Sequence, residues 1–439
     1  VVVTARVLIL AQDDVRAGPL ALGLDRLGWR SITAHGLNAA LLAMADLPIQ
    51  AVVIVMGDHP AEDKEAAIRL KATRVPMSLP VLALGPPATD AAADSPFDLT
   101  LAAPLEPAQA AQRLEQLVRA AVAEEELALR RETFADLGRS LPEPKVERGP
   151  LRVLTIGEPA PKFLGLSHAL KHNGAEVTAA FTAYTAFDYL HDRAFDAVVL
   201  WGGETQTEAL SIAVGMRRNT RLYHLPTMLY LRSSENMDFS EAYRRGLSDV
   251  AAADTPEVET ALRVIDLAKT YRRETAVRLM LERARSSGLM DSATGLFTRD
   301  VFAAHLARLS AAHRRPLSLA MLRVADRPDI IQARASGWLS RALPQVGSMV
   351  GRLVRAEDTA ALIAPDVFAL ALPGADEAQA LIAAERIAAV IACTAFNRGE
   401  GQPSFTLAFD IGAAQLQSTE SAARALERAA QKVFGRKAS

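Results

Sequence analysis

The sequence predicts a multidomain α/β protein, and three observations predict it. Short apolar runs alternate with amphipathic helical stretches along the chain. The same order of runs occurs twice in tandem. The chain has 439 residues, enough for about three domains of ordinary size.

The first repeat opens with "ARVLILAQDD" and the second with "LRVLTIGEPA". Each continues through an amphipathic helical pattern to a continuous apolar run, "IQAVVIVMGDHP" in one and "AFDAVVLWGGET" in the other. Unbroken apolar runs of this length suit central strands of a parallel sheet, which are buried on both faces. A third run follows in each, "LPVLALG" and "LPTMLYL", and each repeat closes on a long helical pattern carrying "RRET", at Arg130–Thr133 and Arg272–Thr275. Strand alternating with helix predicts a doubly wound sheet in each repeat. Between them, "RSLPEPKVERGP" has three prolines and reads as a linker. After the second, "ETALRVIDLAKTYRRETAVRLMLERARSS" predicts a connecting helix, or one that pairs with a partner. The expected domains are 1–122, a helix end and linker over 123–149, 150–257, a connecting helix over 258–287, and 288–439.

Composition narrows the function classes. A formal net charge of −2 gives no strong pull toward nucleic acid or an anionic membrane. No apolar run approaches a membrane span, and the start "VVVTARVLIL" has no basic region before its apolar run, so no signal peptide is expected. The one cysteine, Cys393, excludes an internal disulfide framework and fits a reducing cytoplasm. It is expected to be a small core residue.

The order of "RVLIL…DD", "AVVIVMGDHP", "PVLALG" and "LTLAAP" resembles response-regulator receiver domains, of flavodoxin-like fold, and the second repeat resembles them too. Receiver chemistry needs an aspartate nucleophile after the third strand, an acidic pair for Mg²⁺ after the first, and a Ser or Thr and a Lys for the phosphate. In the first repeat Asp13 and Asp14 keep the pair. Met56 stands at the nucleophile position, Asp58 lies two residues late, Gly85 replaces the Ser or Thr, and Ala103 the Lys. In the second repeat Glu158 is the only acid, with Trp201 at the nucleophile and Ala253 at the Lys position. Both are expected to act by shape, as dimerisation or docking modules.

From Asp291, "DSATGLFTRDVFAAHL" is similar to the opening of GGDEF (diguanylate cyclase) domains, through Thr294, Gly295, Leu296 and Arg299. "LSLAMLRVAD" is similar to the first strand of that fold, "RLVRAEDTAALIAPDVFALALPGAD" to the next two with their hairpin, and "ALIAAERIAAVI" to the helix that follows. In the family, Gly-Gly-(Asp/Glu)-Glu-Phe forms the active hairpin, where glycines let the backbone approach GTP. Here the five positions read Ala364, Pro365, Asp366, Val367 and Phe368, and Arg323 stands where the first strand normally carries a metal-binding carboxylate. No catalytic residue, no metal and no cyclase activity are expected. Upstream, Arg355-Ala356-Glu357-Asp358 matches the family's Arg-x-x-Asp inhibitory site, and Arg386 stands where a supporting arginine is often found. Guanidinium can bond a guanine edge or a phosphate in two places, and a carboxylate can accept from guanine N–H groups. The bare pattern also occurs at Arg193, Arg263 and Arg323; register with the hairpin singles out Arg355.

The whole arrangement resembles PleD/PopA-type receiver–receiver–GGDEF response regulators. That resemblance implies a cyclic di-GMP effector that recruits proteins through its receiver domains. It further implies a homodimer in the cytoplasm, with links to the cell pole, cell-cycle control and a proteolysis adaptor role. It implies neither nucleic-acid binding nor membrane insertion. The rivals are a weak cyclase, a nucleotide-independent scaffold, and a regulator phosphorylated at Asp58.

Overall fold

A computed structural model describes residues 5–75, 77–85, 95–102, 105–202, 206–233, 237–284, 289–312, 315–397, 403–418 and 420–434. The chain forms two compact units, Val1–Ala121 with Lys145–Ala276, and Val122–Pro144 with Val277–Ser439.

The first unit holds both repeats. The first runs β1 (Arg6–Leu10), α1 (Asp14–Arg26), β2 (Arg30–Ala34), α2 (Leu37–Asp46), β3 (Ala51–Val55), α3 (Pro60–Ala72), β4 (Val81–Leu84), β5 (Leu99–Leu101) and α4 (Pro107–Asp136). The second runs β6 (Leu151–Ile156), α5 (Pro161–His172), β7 (Ala175–Ala180), α6 (Ala183–Asp192), β8 (Ala197–Trp201), α7 (Thr207–Arg218), β9 (Thr227–Tyr230), α8 (Phe239–Arg244), β10 (Asp249–Ala251) and α9 (Glu257–Ala284). Each makes a five-stranded parallel sheet, ordered β2-β1-β3-β4-β5 and β7-β6-β8-β9-β10. This 2-1-3-4-5 order is a doubly wound one of the flavodoxin type. The apolar runs lie where their patterning demands. Val7, Leu8 and Ile9 on β1 and Val52, Val53 and Ile54 on β3 have no exposed surface, being covered by helices on both faces. The edge strand β2 is mostly half-buried or exposed.

α4 and α9 each contribute one stretch to each unit. In the first unit, Gln109 Nε2 on α4 donates to Asp249 Oδ1 at 2.7 Å, and Arg263 on α9 donates to the same carboxylate. Two helices thereby share one buried acid, satisfied as a buried charge must be.

The second unit continues with α10 (Arg299–Ala311), β11 (Leu317–Val324), α11 (Pro328–Ala335), α12 (Trp338–Leu353), β12 (Thr359–Ala364), β13 (Val367–Pro373), α13 (Glu377–Ala392), β14 (Phe409–Gln415) and α14 (Ala422–Phe434). Its sheet is antiparallel, ordered β12-β13-β11-β14. Alternate residues of β11 feed two cores, as period 2 dictates. Ala320, Leu322 and Val324 pack under α11–α13. Leu317 and Leu319 pack with Phe134 of α4 and Phe302 of α10. Ahead of α10, Asp291 accepts from the Thr294 N–H at 2.8 Å and its hydroxyl at 2.7 Å, and Gly295 takes φ +68°. A left-handed residue there favours glycine, which accounts for the "TG" of the opening motif. α13 starts with a capping box between Asp376 and Gln379.

Cys393 corrects an expectation. It is exposed, because it is the C-cap of α13 and lies past the last buried turn of that helix. Among the described residues, no helix is long and apolar enough to cross a membrane.

Candidate functional site

The GGDEF-like signature folds as a hairpin. Pro365 and Asp366 are the two loop residues between β12 and β13. Proline's fixed negative φ excludes the primed turns that two-residue hairpins favour, and the ladder carries a register shift between Leu362 and Ala364 beside the turn. Charges close this end of the sheet. Arg334 of α11 donates to Asp326 at 2.9 Å and to Asp366 at 2.6 Å. Arg323, buried on β11, pairs with Asp326 and lies 5.0 Å from the Phe434 ring centroid. The Arg-x-x-Asp pair at Arg323 is therefore a contact at the strand end with its arginine buried.

The second Arg-x-x-Asp follows α12, whose last cap residue is Val354. The Asp358 N–H donates to the Arg355 carbonyl at 3.2 Å, and Asp358 Oδ2 accepts from the Arg355 N–H at 2.9 Å. These two bonds close the turn. Arg355 is exposed, while Asp358 is 5% exposed and Glu357 6%. Burial, with Glu357 beside it, pushes the Asp358 carboxyl up to about 6, against the Arg355 N–H. Arg386, exposed on α13, donates to the Leu353 carbonyl at 3.1 Å. It thus caps the α12 end two residues before Arg355, where helix carbonyls attract a cation. The three site residues read from the sequence therefore adjoin one helix end: two arginines are exposed and the carboxylate is turned inward.

Behind this turn lies a buried network that sequence reasoning missed. Arg130 of α4 donates through Nη2 to the carbonyls of Glu357 (3.3 Å) and Asp358 (2.9 Å) and to Thr359 Oγ1 (3.1 Å). Its Nε donates to Glu126 Oε1 at 2.6 Å. The same oxygen accepts from Thr359 Oγ1 at 3.2 Å and faces His305 Nε2 at 2.8 Å. His305 Nδ1 lies 3.1 Å from the Thr133 hydroxyl. Burial raises the Glu126 pKa, but His305 and then Arg130 outweigh it and hold the carboxyl below its ordinary value. Ala356 packs in the cluster of Leu127, Val277, Met280 and Leu281. The available signal was the "RRET" tetrapeptide, read only as a repeat marker; its first and fourth residues are Arg130 and Thr133.

The receiver-type positions are arranged differently. Asp13 is the N-cap of α1, accepting from the Arg16 N–H at 2.9 Å. Asp14 faces His35 at 3.2 Å on an exposed surface. Asp58 is exposed beyond β3. Met56 fills the space before Gly85, where a Cβ would come within 2.9 Å of it. Ala103 lies outside the described residues. In the second repeat Glu158 is exposed, and Trp201 is buried against Tyr230, with ring centroids 5.1 Å apart, and Phe163, 6.0 Å away. Lys162 donates to the Ala253 carbonyl and covers the Tyr230 ring. Among the described residues, no group of three His, Cys, Asp or Glu side chains gathers to hold a metal ion.

Residues 288–439 match the family model described as "Diguanylate cyclase, GGDEF domain". No curated protein matches the chain. Among solved structures, the FimX GGDEF domain from Pseudomonas aeruginosa is 22% identical, covering 34% of this chain and 95% of that one, with a TM-score of 0.31. The GGDEF domain of DgcB from Caulobacter crescentus, in complex with c-di-GMP, is also 22% identical, covering 34% and 87%, with a TM-score of 0.30. Residues 288–439 are thus a GGDEF domain.

Proposed function

We propose that the chain is a cyclic di-GMP effector without diguanylate cyclase activity. On this reading the ligand binds at the turn of Arg355 and Asp358, with Arg386. The two parallel-sheet repeats are receiver-like docking modules that support a homodimer. The observation that carries the reading is a contrast within one domain. Arg355 and Arg386 are exposed beside one helix end, whereas the aspartates of the hairpin end are held by arginines.

Divalent cations do not fit that hairpin end. A cation would have to displace Arg334 from Asp326 and Asp366 and sit beside Arg323. Two like unit charges at about 4 Å repel by about 4 kcal/mol at a surface-like dielectric, and a divalent ion doubles this. Metal-assisted attack of a 3′-hydroxyl has no electrostatic basis there. Pro365 also removes a backbone donor where the family has glycine.

The receiver reading is supported by the 2-1-3-4-5 parallel order and by acids after β1, with the nucleophile positions filled by Met56 and Trp201. Its domain limits, 1–122, 150–257 and 288–439, go with α4 and α9 as the connecting helices. The cell-cycle, polar and proteolysis-adaptor roles rest on the PleD/PopA-type resemblance.

Calorimetric titration of cyclic di-GMP into the full chain tests the reading, beside Arg355→Ala and with GTP as control. Tight binding that Arg355→Ala removes is expected. Absence of binding would favour a nucleotide-independent scaffold, a reading for which the inward turn of Asp358 speaks.

A further inference from the structure

We infer that Arg130 is the positioning residue of the Arg355–Asp358 turn, holding it from inside through the stretch of α4 that belongs to the same unit. The inference deepens the cyclic di-GMP reading and, for its ligand arm only, rests on it.

The turn has no regular ladder of its own between the end of α12 and the start of β12. Its peptide groups must find partners elsewhere, since buried backbone carbonyls are seldom left unpaired. One guanidinium edge supplies them. Nη2 of Arg130 reaches the carbonyls of Glu357 and Asp358, and also the hydroxyl of Thr359, where β12 begins. The guanidinium is itself fixed. Glu126 Oε1 holds Nε, and the Phe297 ring centroid lies 5.6 Å from its carbon. Glu126 Oε1 also accepts from Thr359, so one carboxylate oxygen ties the arginine and the first residue of β12 together. Arginine's planar fork makes several such bonds in fixed mutual geometry, which lysine's point charge does not.

The main chain that Arg130 grips is the main chain that aims Arg355. Asp358 receives Arg130 at its carbonyl while its carboxylate receives the Arg355 N–H. Displacement of α4 would move both, and by linkage a ligand that fixes the turn must favour the docked helix.

Hydrogen exchange on the full chain tests this, with Arg130→Met, Thr359→Val and Phe134→Leu. Phe134 lies on the same stretch of α4 and packs on Phe297, with centroids 5.9 Å apart. Phe134→Leu loosens that core without removing a hydrogen bond to the turn. Without ligand, exchange at the amides of Arg355 and Asp358 should rise at least tenfold in Arg130→Met and severalfold in Thr359→Val, but not in Phe134→Leu. An equal rise in all three, or none in the first two, overturns the inference. If Arg130→Met does not fold, the pair Thr359→Val and Phe134→Leu decides. In the ligand arm, Arg130→Met or, failing that, Thr359→Val should weaken cyclic di-GMP binding, about tenfold for the former, with Phe134→Leu unchanged. Wild-type protein that binds no cyclic di-GMP removes the effector reading, while the exchange arm still decides the role of Arg130.

Discussion

Asp358 turns its carboxylate back onto the main-chain N–H of Arg355, at 2.9 Å. The Arg-x-x-Asp motif has one buried half and one exposed half. The arginine is exposed and the acid is buried beside Glu357.

The first prediction concerns pH. Burial, then Glu357, raises the Asp358 pKa to about 6, against about 3.9 in an unfolded chain. The folded state then binds the extra proton between these values. The stabilisation is complete below about pH 4 and is lost as pH rises through about 6. Urea midpoints should therefore be higher near pH 5 than near pH 7.5, and Asp358→Asn should remove that part of the slope. An unchanged slope in the variant would contradict the assignment.

Arg323 gives the second. Arg323 is 8% exposed and paired with Asp326. Arg323→Asp places a carboxylate beside Asp326, with Asp410 directly across the ladder. Removing one partner of a buried pair costs about 3–5 kcal/mol, and the lower end applies here because Asp326 keeps Arg334. The variant should be less stable by about 3 kcal/mol and, on the effector reading, form no cyclic di-GMP from GTP, because Arg334 continues to hold Asp326 and Asp366. Nucleotide chromatography after prolonged incubation with GTP and Mg²⁺ checks the second half.

Much of the sheet framework was legible in the sequence for one physical reason. Strands buried on both faces must be continuous apolar runs, so β1, β3, β4, β6, β8 and β9 announce themselves. The edge strands β2 and β7 do not. They are largely half-buried or exposed and carry "RSITA" and "AEVTAA", which read as the tail of a helical pattern. β14 was hidden by its small residues. Gly412 is there because a Cβ would come within 2.2 Å of the Ala429 carbonyl on α14. Of the candidate site, Arg355 was read from its register with the hairpin and Arg386 from its place in the helix that follows. Arg130 was not, because its carbonyl partner at Asp358 is 228 positions away, and no local pattern encodes a contact of that span.

The third prediction addresses the buried cluster around Glu126. Arg130 and His305 both face one carboxylate oxygen with almost no exposure. Glu126→Gln leaves the Arg130 charge buried without its counter-ion, and should cost about 3–5 kcal/mol. The double variant with Arg130→Met should cost less than the two single losses added, because the residues share one network. A double-mutant cycle by urea denaturation reads the coupling, and strict additivity would mean the network does not act as a unit.

The second copy of the tetrapeptide supplies the last. Arg272 occupies the place of Arg130 in its repeat and also grips main-chain carbonyls, but of a different segment. It donates to Asp196 at 2.7 and 2.9 Å and to the carbonyls of Glu147, Gly149 and Pro150. Those carbonyls belong to the linker that precedes β6, so Arg272 fixes where the second sheet begins. Its neighbour Arg273 is exposed, donates to Thr270 Oγ1 at 3.5 Å, and makes no hydrogen bond to the linker among the described residues. Arg272→Met should destabilise the protein by about 3 kcal/mol and free the linker. Trypsin should then cut sooner after Lys145 and Arg148. Arg273→Met should change stability by less than about 0.5 kcal/mol and leave cleavage at its original rate. Timed proteolysis with mass spectrometry separates the two, and equal cleavage in both variants would show that the linker is held by something other than Arg272.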